Sequence, residues 1–189
     1  MIALGPYSDD HAMAVLSRLD PWDWAEAEAT RGAPVTHLQL FAEWRAMQGC
    51  RVASWVVFDH ETRTCPFALL ALAHTGQRGV AGAALLARDH QRFRRPLVEL
   101  ARRIRDGIAR YCAEAGIHRI EARAWAGHPR ASTFLALTGF THECDMPGFG
   151  RAGEETFRQF AWRTPDVARD VAPDVALSNP EREVAHVPG

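Results

Sequence analysis

The chain has 189 residues, 47% hydrophobic and 24% charged, which suits one soluble domain with a sizeable core and leaves no room for a second full one. Its 22 basic residues, all arginine, nearly balance 23 acidic ones, so the net charge of −1 offers no global field to nucleic acid or an anionic membrane, and neither is expected as a partner. No stretch approaches the ~18 apolar residues of a membrane span, residues 1–10 lack the basic patch and apolar run of a secretion signal, and Cys50, Cys65, Cys112 and Cys144 form no C-x-x-C pair, so reduced core thiols are expected.

In chain order, Ser8-Asp9-Asp10 starts a helix with Ala12, Val15, Leu16 and Leu19 as its apolar face. Asp20-Pro21 then caps a second that runs through Thr30 before Gly32. Thr36 and Gln39 form a capping-box pattern ahead of Leu40, Phe41, Trp44 and Met47, with Gly49 as the stop. Residues 51–58 read as a strand, 59–64 as a turn, and 66–74 with 80–88 as a hairpin around Gly76-Gln77-Arg78-Gly79. From 96 to 115, Leu97, Leu100, Ala101, Ile104, Ile108, Tyr111 and Cys112 recur at helical spacing up to Gly116. A strand at 117–125, a short helix at 129–137, a strand at 140–144 and a last strand at 156–162 complete the series. Beyond Arg163 the composition changes: Pro165-Asp166-Val167-Ala168 recurs as Pro173-Asp174-Val175-Ala176, and Pro173 interrupts any helix. The domain is therefore expected to span 1–163, with 164–189 as an extended arm rich in Pro, Asp, Val and Ala.

Several motifs point to no chemistry. Gly148-Phe149-Gly150-Arg151-Ala152-Gly153 matches a dinucleotide-binding string but opens no helix, so it reads as a hairpin connection. The histidines show no metal spacing and His142-Glu143-Cys144 cannot converge, so no metal site is expected. No nucleophile elbow appears, and Cys112 and Cys144 have apolar neighbours rather than the electropositive setting of a reactive thiol. The arginines of the long helix are expected to pair with their own acids, as Glu99–Arg103, Arg102–Asp106 and Asp106–Arg110. Of the six tryptophans most should fill the core, with Trp22 and Trp24 able to form a docking patch.

The run from Ala124-Trp125-Ala126-Gly127-His128-Pro129 through Leu135-Ala136-Leu137-Thr138-Gly139-Phe140 joins a strand to a short helix ending in Gly-Phe. With the order of elements from Arg51 to Trp162, it resembles the GNAT acyl-CoA-dependent acetyltransferases. That resemblance implies an α/β (α+β) fold with a mixed, mainly antiparallel central sheet flanked by helices. More narrowly, Leu19-Asp20-Pro21-Trp22-Asp23-Trp24-Ala25-Glu26 and the closing Gly-Phe, Gly-rich and Phe-x-x-Phe pieces resemble GNAT-like proteins of tailed bacteriophages. This narrower likeness implies a virion or host-cytoplasm location, and virion or assembly proteins as partners of the C-terminal arm.

In such enzymes a Gln/Arg-x-x-Gly-x-Gly/Ala loop offers backbone N–H groups to the coenzyme diphosphate at the start of the long helix. Two registers compete for it. Gly76-Gln77-Arg78-Gly79-Val80-Ala81 has the glycines but lies too far from the next strand, whereas Gln91-Arg92-Phe93-Arg94-Arg95-Pro96 has the right spacing and is preferred. There Arg94 and Pro96 replace the two small residues and Pro96 removes one donor, which Arg92, Arg94 and Arg95 could offset by direct phosphate contact. The resemblance thus implies Gln91, Arg92, Arg94 and Arg95 as the contacts of an acetyl-CoA. Leu135 stands where many of these enzymes place the tyrosine that protonates the leaving thiolate. His128, able to titrate near neutrality, and Glu121, a strand carboxylate, are the candidate acid and base, although His128 also suits a cap for the helix behind Pro129. The expectation is a GNAT-like protein with a degenerate acyl-CoA site, kept as a non-catalytic virion or assembly component. The alternative is a functioning acetyl-CoA-dependent N-acetyltransferase acting on an unidentified amine.

Overall fold

The computed structural model describes residues 1–60 and 63–164. The expected arm and its Pro-Asp-Val-Ala repeat lie outside the described residues. Strand β1 (Ala3–Pro6) is followed by helices α1 (Asp9–Leu16), α2 (Pro21–Arg31) and α3 (His37–Ala46) and a 3-10 turn (Met47–Cys50). Strands β2 (Arg51–Phe58), β3 (Pro66–His74) and β4 (Val80–Ala87) come next, then α4 (Arg94–Ala115), β5 (Arg119–Trp125), α5 (Ala131–Leu137), β6 (Thr141–Phe149) and β7 (Glu155–Arg163).

These elements build one seven-stranded sheet in the order β1-β2-β3-β4-β5-β7-β6. Every neighbouring pair is antiparallel except β4 and β5, which α4 joins as a crossover and which therefore run parallel. On one face of the sheet, Val15 and Leu16 of α1 and Leu40 and Trp44 of α3 pack with Val56, Phe58 and Leu69. Leu100 of α4 belongs with Phe67, Ala87 and Phe93 on the other face, while Ile108 and Cys112 join Leu72, Ala81, Ile120 and Trp162.

Local chemistry explains the helix ends. Asp20 accepts the Trp22 N–H ahead of Pro21, and Gly32 ends α2 at φ +64°. Thr36 and Gln39 form the reciprocal box that starts α3. Gly49 does not stop that helix: α3 ends at Ala46 and Gly49 falls in the 3-10 turn. The long helix starts at Arg94, so Pro96 is its third residue, still within the turn whose N–H groups have no partner inside the helix. In α5 the helix starts at Ala131, two residues after Pro129.

Strand β1 was not among the expected elements, because Ala-Leu-Gly-Pro carries no strand pattern. It exists by pairing with β2 over Ala3↔Phe58 to Pro6↔Trp55. Strand β6 runs on to Phe149 through Pro147, which an outermost strand tolerates because one side needs no donor, and it bulges twice, at 142–144 and 147–149. The glycine-rich string after it is the β6–β7 connection, and Gly150 gives its N–H to the Ala29 carbonyl of α2. On α4 Glu99 meets Arg103 at 3.1 Å as expected, but Asp106 pairs with its neighbour Arg105 rather than with Arg102 or Arg110. Cys112 is buried, and its thiol is pushed up to about 11 by that burial, whereas Cys50 and Cys144 are exposed rather than in the core.

Phe93 ties the turn before α4 to the sheet: it is fully buried and stacks on Phe67 with ring centroids 5.0 Å apart. Phe93→Ala should lower unfolding free energy by about 3–5 kcal/mol in urea titrations, the cost of a large aromatic lost from a packed core.

Candidate functional site

Strands β4 and β5 pair only from Val80↔Arg119 to Gly82↔Glu121 and then diverge. β3 and β7 hold their outer edges, so the divergence leaves an N–H and C=O edge of each strand facing the gap. Arg88 points its N–H at Phe67 of β3, at 2.8 Å, which turns the N–H and C=O of the preceding Ala87 toward the gap.

Helix α2 lies across the open end of this gap. Asp23 and Glu26, three residues apart, share one face of it. Asp23 Oδ2 accepts the N–H of Ala87 at 2.7 Å on the β4 side, and the Glu26 carboxyl faces the backbone N–H of Trp125 on the β5 side. The residues before α2 extend the contact: Asp20 donates its N–H to the Ala87 carbonyl at 2.9 Å, Leu19 forms an antiparallel bridge with Arg88, and Asp20 Oδ2 accepts the His90 N–H at 2.7 Å.

Each diverging strand is followed by a turn that contributes a histidine. His90, after β4, places Nε2 3.1 Å from Asp23 Oδ1 and Nδ1 3.5 Å from Asp20 Oδ1. His128, after β5, places Nε2 3.2 Å from the same Asp23 oxygen. Its Nδ1 accepts the N–H groups of Arg130 and Ala131 at 3.1 and 3.0 Å, so His128 caps α5. Those two acceptances put the ring hydrogen on Nε2, which donates to Asp23. Trp22 rests over the pair, with centroids 6.3 Å from His128 and 6.5 Å from Trp125, and remains 46% exposed.

The charges in this cluster follow from burial and partners. Burial pushes Asp23 up, yet hydrogen bonds from His128 and His90, the charge of His90 and the Ala87 N–H hold it below the ordinary carboxylate value. Burial pulls His90 down, but the hydrogen bond and charge of Asp23 and the charge of Asp20 leave it raised, which favours the imidazolium between the two carboxylates. Burial takes Glu26 to about 7, with the Asp23 charge adding to the rise and His128, the Trp125 N–H and His90 opposing it.

Ligand atoms of Asp23, His90 and His128 lie within 4.8 Å of one another, a spacing compatible with a cation. The hydrogens argue otherwise. His128 Nε2 carries a proton because Nδ1 is committed to two amides, so its ring presents no lone pair to a metal, and Asp23 and His90 alone are two ligands.

Of the residues singled out from sequence, only His128 is in this cluster. Glu121 lies where β4 and β5 still pair, and Arg119 holds it at 2.7 Å. Gln91, Arg92, Arg94 and Arg95 stand exposed around the start of α4. Among the backbone donors there, Arg92 gives its N–H to Asp89 Oδ1 and Phe93 gives its own to the Asp89 carbonyl, both at 2.9 Å. Pro96 has none to give. Gly76–Gly79 is the β3–β4 hairpin turn and faces no helix start. A cleft of about 1160 Å³ runs along the gap, its walls including Glu26, Leu86, Arg94, Ala124, Leu135 and Phe149. Asp23, His90 and Glu26 were missed because they meet only through the fold. The signal available was an acid at Asp23 on the same face of α2 as the buried Ala27.

No protein-family model and no curated protein sequence matches the chain. Solved structures do. yncA from Salmonella typhimurium, solved with its cofactor acetyl-CoA, is 14% identical with a TM-score of 0.61 over 92% of this chain and 98% of its own. A spermidine N-acetyltransferase from Vibrio cholerae, in complex with CoA and spermine, is 12% identical with a TM-score of 0.63 over 86% and 95%. A GNAT-family acetyltransferase from Bacillus anthracis is 10% identical with a TM-score of 0.63 over 86% and 95%. At these identities the likeness is one of fold: the chain has the GNAT fold.

The cluster dictates how stability varies with pH. His90, raised, stabilises below about 6.5 and loses that contribution as pH climbs through its folded value. Glu26, shifted from 4.5 to about 7, withdraws stability over that interval, on the order of 3 kcal/mol in all. Asp23, lowered, loses its contribution as pH falls through its folded value, below the ordinary 3.8. Thermal unfolding should therefore show its highest midpoint at about pH 4–5 and decline toward neutrality and beyond, with Glu26→Gln removing the part of the decline that lies below about pH 7.

Proposed function

We propose that this GNAT-fold protein transfers an acyl group from acyl-CoA to an amine, with Glu26 as the base. One observation carries the reading: a carboxyl pushed by burial to a pKa of about 7 stands at the open end of the β4–β5 gap, in a cleft walled by Leu86, Ala124 and Leu135. An acceptor amine reaches such a site as an ammonium ion and must lose a proton before its lone pair can attack a carbonyl carbon. A base poised near neutrality takes that proton at working pH, and the apolar walls keep water from competing. The neighbours solved with acetyl-CoA and with CoA and spermine support the donor and the acceptor class.

The residues at the start of α4 fit the phosphates of a coenzyme through guanidinium rather than through backbone N–H. Arg92, Arg94 and Arg95 are exposed there and would hold them, with Gln91 beside them, where Asp89 and Pro96 have withdrawn backbone donors. Bound acetyl-CoA would supply the acyl group as a thioester. Leu135 offers no proton to a leaving thiolate, so that proton would come from solvent.

A second reading keeps the fold without the catalysis, as an assembly component in a virion or host cytoplasm, meeting partners through the arginines and the C-terminal arm. It is favoured by Leu135 in the cleft wall and by the carboxylates of Asp23 and Asp89 on the Ala87 and Arg92 N–H groups.

Calorimetric titration with acetyl-CoA, together with acyl transfer to polyamines and to peptide amino termini, separates the two. The chain has no lysine, so no ε-amine of its own confuses the product analysis. The expected result is a micromolar dissociation constant and turnover that Glu26→Gln lowers by about 10²–10⁴ while binding changes little. Absence of both heat and transfer would leave the second reading, which mass spectrometry of purified particles then tests.

A further inference from the structure

The gap that would admit a coenzyme already has an occupant. Ala87 spends both its N–H and its carbonyl on α2 and the residue before it, Leu19 bridges Arg88 as an added strand would, and the Glu26 carboxyl stands toward the Trp125 N–H on the opposite edge. An extended ligand lying between β4 and β5 needs those same strand edges. We propose that the start of α2 is an autoinhibitory latch, which must release Ala87 and move clear of Trp125 before the gap can take acyl-CoA. This regulation rests on the acyl-CoA reading of the same site.

His90 is the fastening. Its ring joins Asp20 and Asp23, and its own N–H is held by Asp20, so one residue of the turn before α4 grips the cap and the first turn of α2. The groups facing His90 are Asp20 from the cap of α2 and Asp23 from its first turn, the His128 ring at 5.5 Å from the turn after β5, and Arg130, whose charge opposes protonation. Glu26 faces Asp23, His90 and His128. Once His90 gives up its proton, Asp20, Asp23 and Glu26 remain as three carboxylates around a neutral ring, and their repulsion acts to lift α2 from the strands. Acid fastens the latch and alkali loosens it.

The test measures amide exchange at Ala87 and Trp125 by NMR, corrected for the intrinsic rate, in the full chain and in His90→Gln and Asp20→Asn, with acetyl-CoA titrated into the same samples. Asn serves as a helix cap nearly as well as Asp, so the second variant weakens the grip on His90 without removing the start of α2. In the wild type, protection of the Ala87 amide should fall about tenfold between about pH 6 and pH 8, with Trp125 reporting how far α2 lifts from β5. Both variants should start low, show a flatter pH trend and bind acetyl-CoA about tenfold more tightly at the lower pH. Protection of Ala87 that is unchanged by pH and by either variant, opening only with global unfolding, overturns the latch. Equal affinity of all three proteins for acetyl-CoA at both pH values overturns it too, while leaving the coenzyme reading intact. If the amides open as expected but no protein binds millimolar acetyl-CoA, the coenzyme reading falls and the autoinhibitory role with it, leaving only a pH-sensitive contact of α2.

Discussion

The arrangement described above follows from the parting of two parallel strands. β4 and β5 share three residue pairs and then separate, which strips a run of backbone donors and acceptors of partners in a region that the sheet and helices otherwise bury. Asp23 satisfies the Ala87 donor on one side, and Glu26, one helical turn on along α2, stands toward the Trp125 N–H on the other. This creates a second problem, since carboxylates taken out of water need compensation. The hydrogen bond and charge of His90 provide it to Asp23 and Asp20, and His128 adds a donor to Asp23 while its other nitrogen caps α5. Glu26 lacks a cation of its own, and its high pKa is the result. The group available for proton transfer is thus the one that the stitching leaves uncompensated.

The same logic separates the parts of the molecule that were legible in the sequence from those that were not. The helices were readable because their signals are local: Asp20-Pro21, the Thr36–Gln39 box and the apolar spacing of α4 each specify an end or a face within a few residues. The β3–β4 hairpin was readable for the same reason. β1 was not, because Ala-Leu-Gly-Pro becomes a strand only when β2 lies beside it. His128 could be read both as a titrating group and as a cap, and the structure shows the cap. Asp23 and His90 are far apart in the chain and carry no shared motif, so their meeting depends on the placement of α2 across the sheet. Glu121 looked suitable as a strand carboxylate, but it falls at the closed end of the gap and Arg119 neutralises it.

The start of α4 shows a compromise of a different kind. A helix N-terminus already presents partial positive charge, and here its first turn holds Arg94 and Arg95 and no acid, with Arg92 just before it. Nothing about helix stability favours that choice. Asp89 relieves part of the strain by accepting the Arg92 N–H, and Phe93 anchors the turn through its stack on Phe67. The anchoring is hydrophobic because the electrostatics of the turn are unfavourable without an anion.

Pro6 and Pro147 sit on the two outermost strands, one at each end of the sheet, and β6 adds two bulges to its proline. A foreign chain sliding alongside either margin meets a missing donor and, at β6, a broken repeat. Fibril-like growth by strand addition is therefore discouraged at both margins, which confines main-chain recruitment to the internal seam that the fold itself keeps filled.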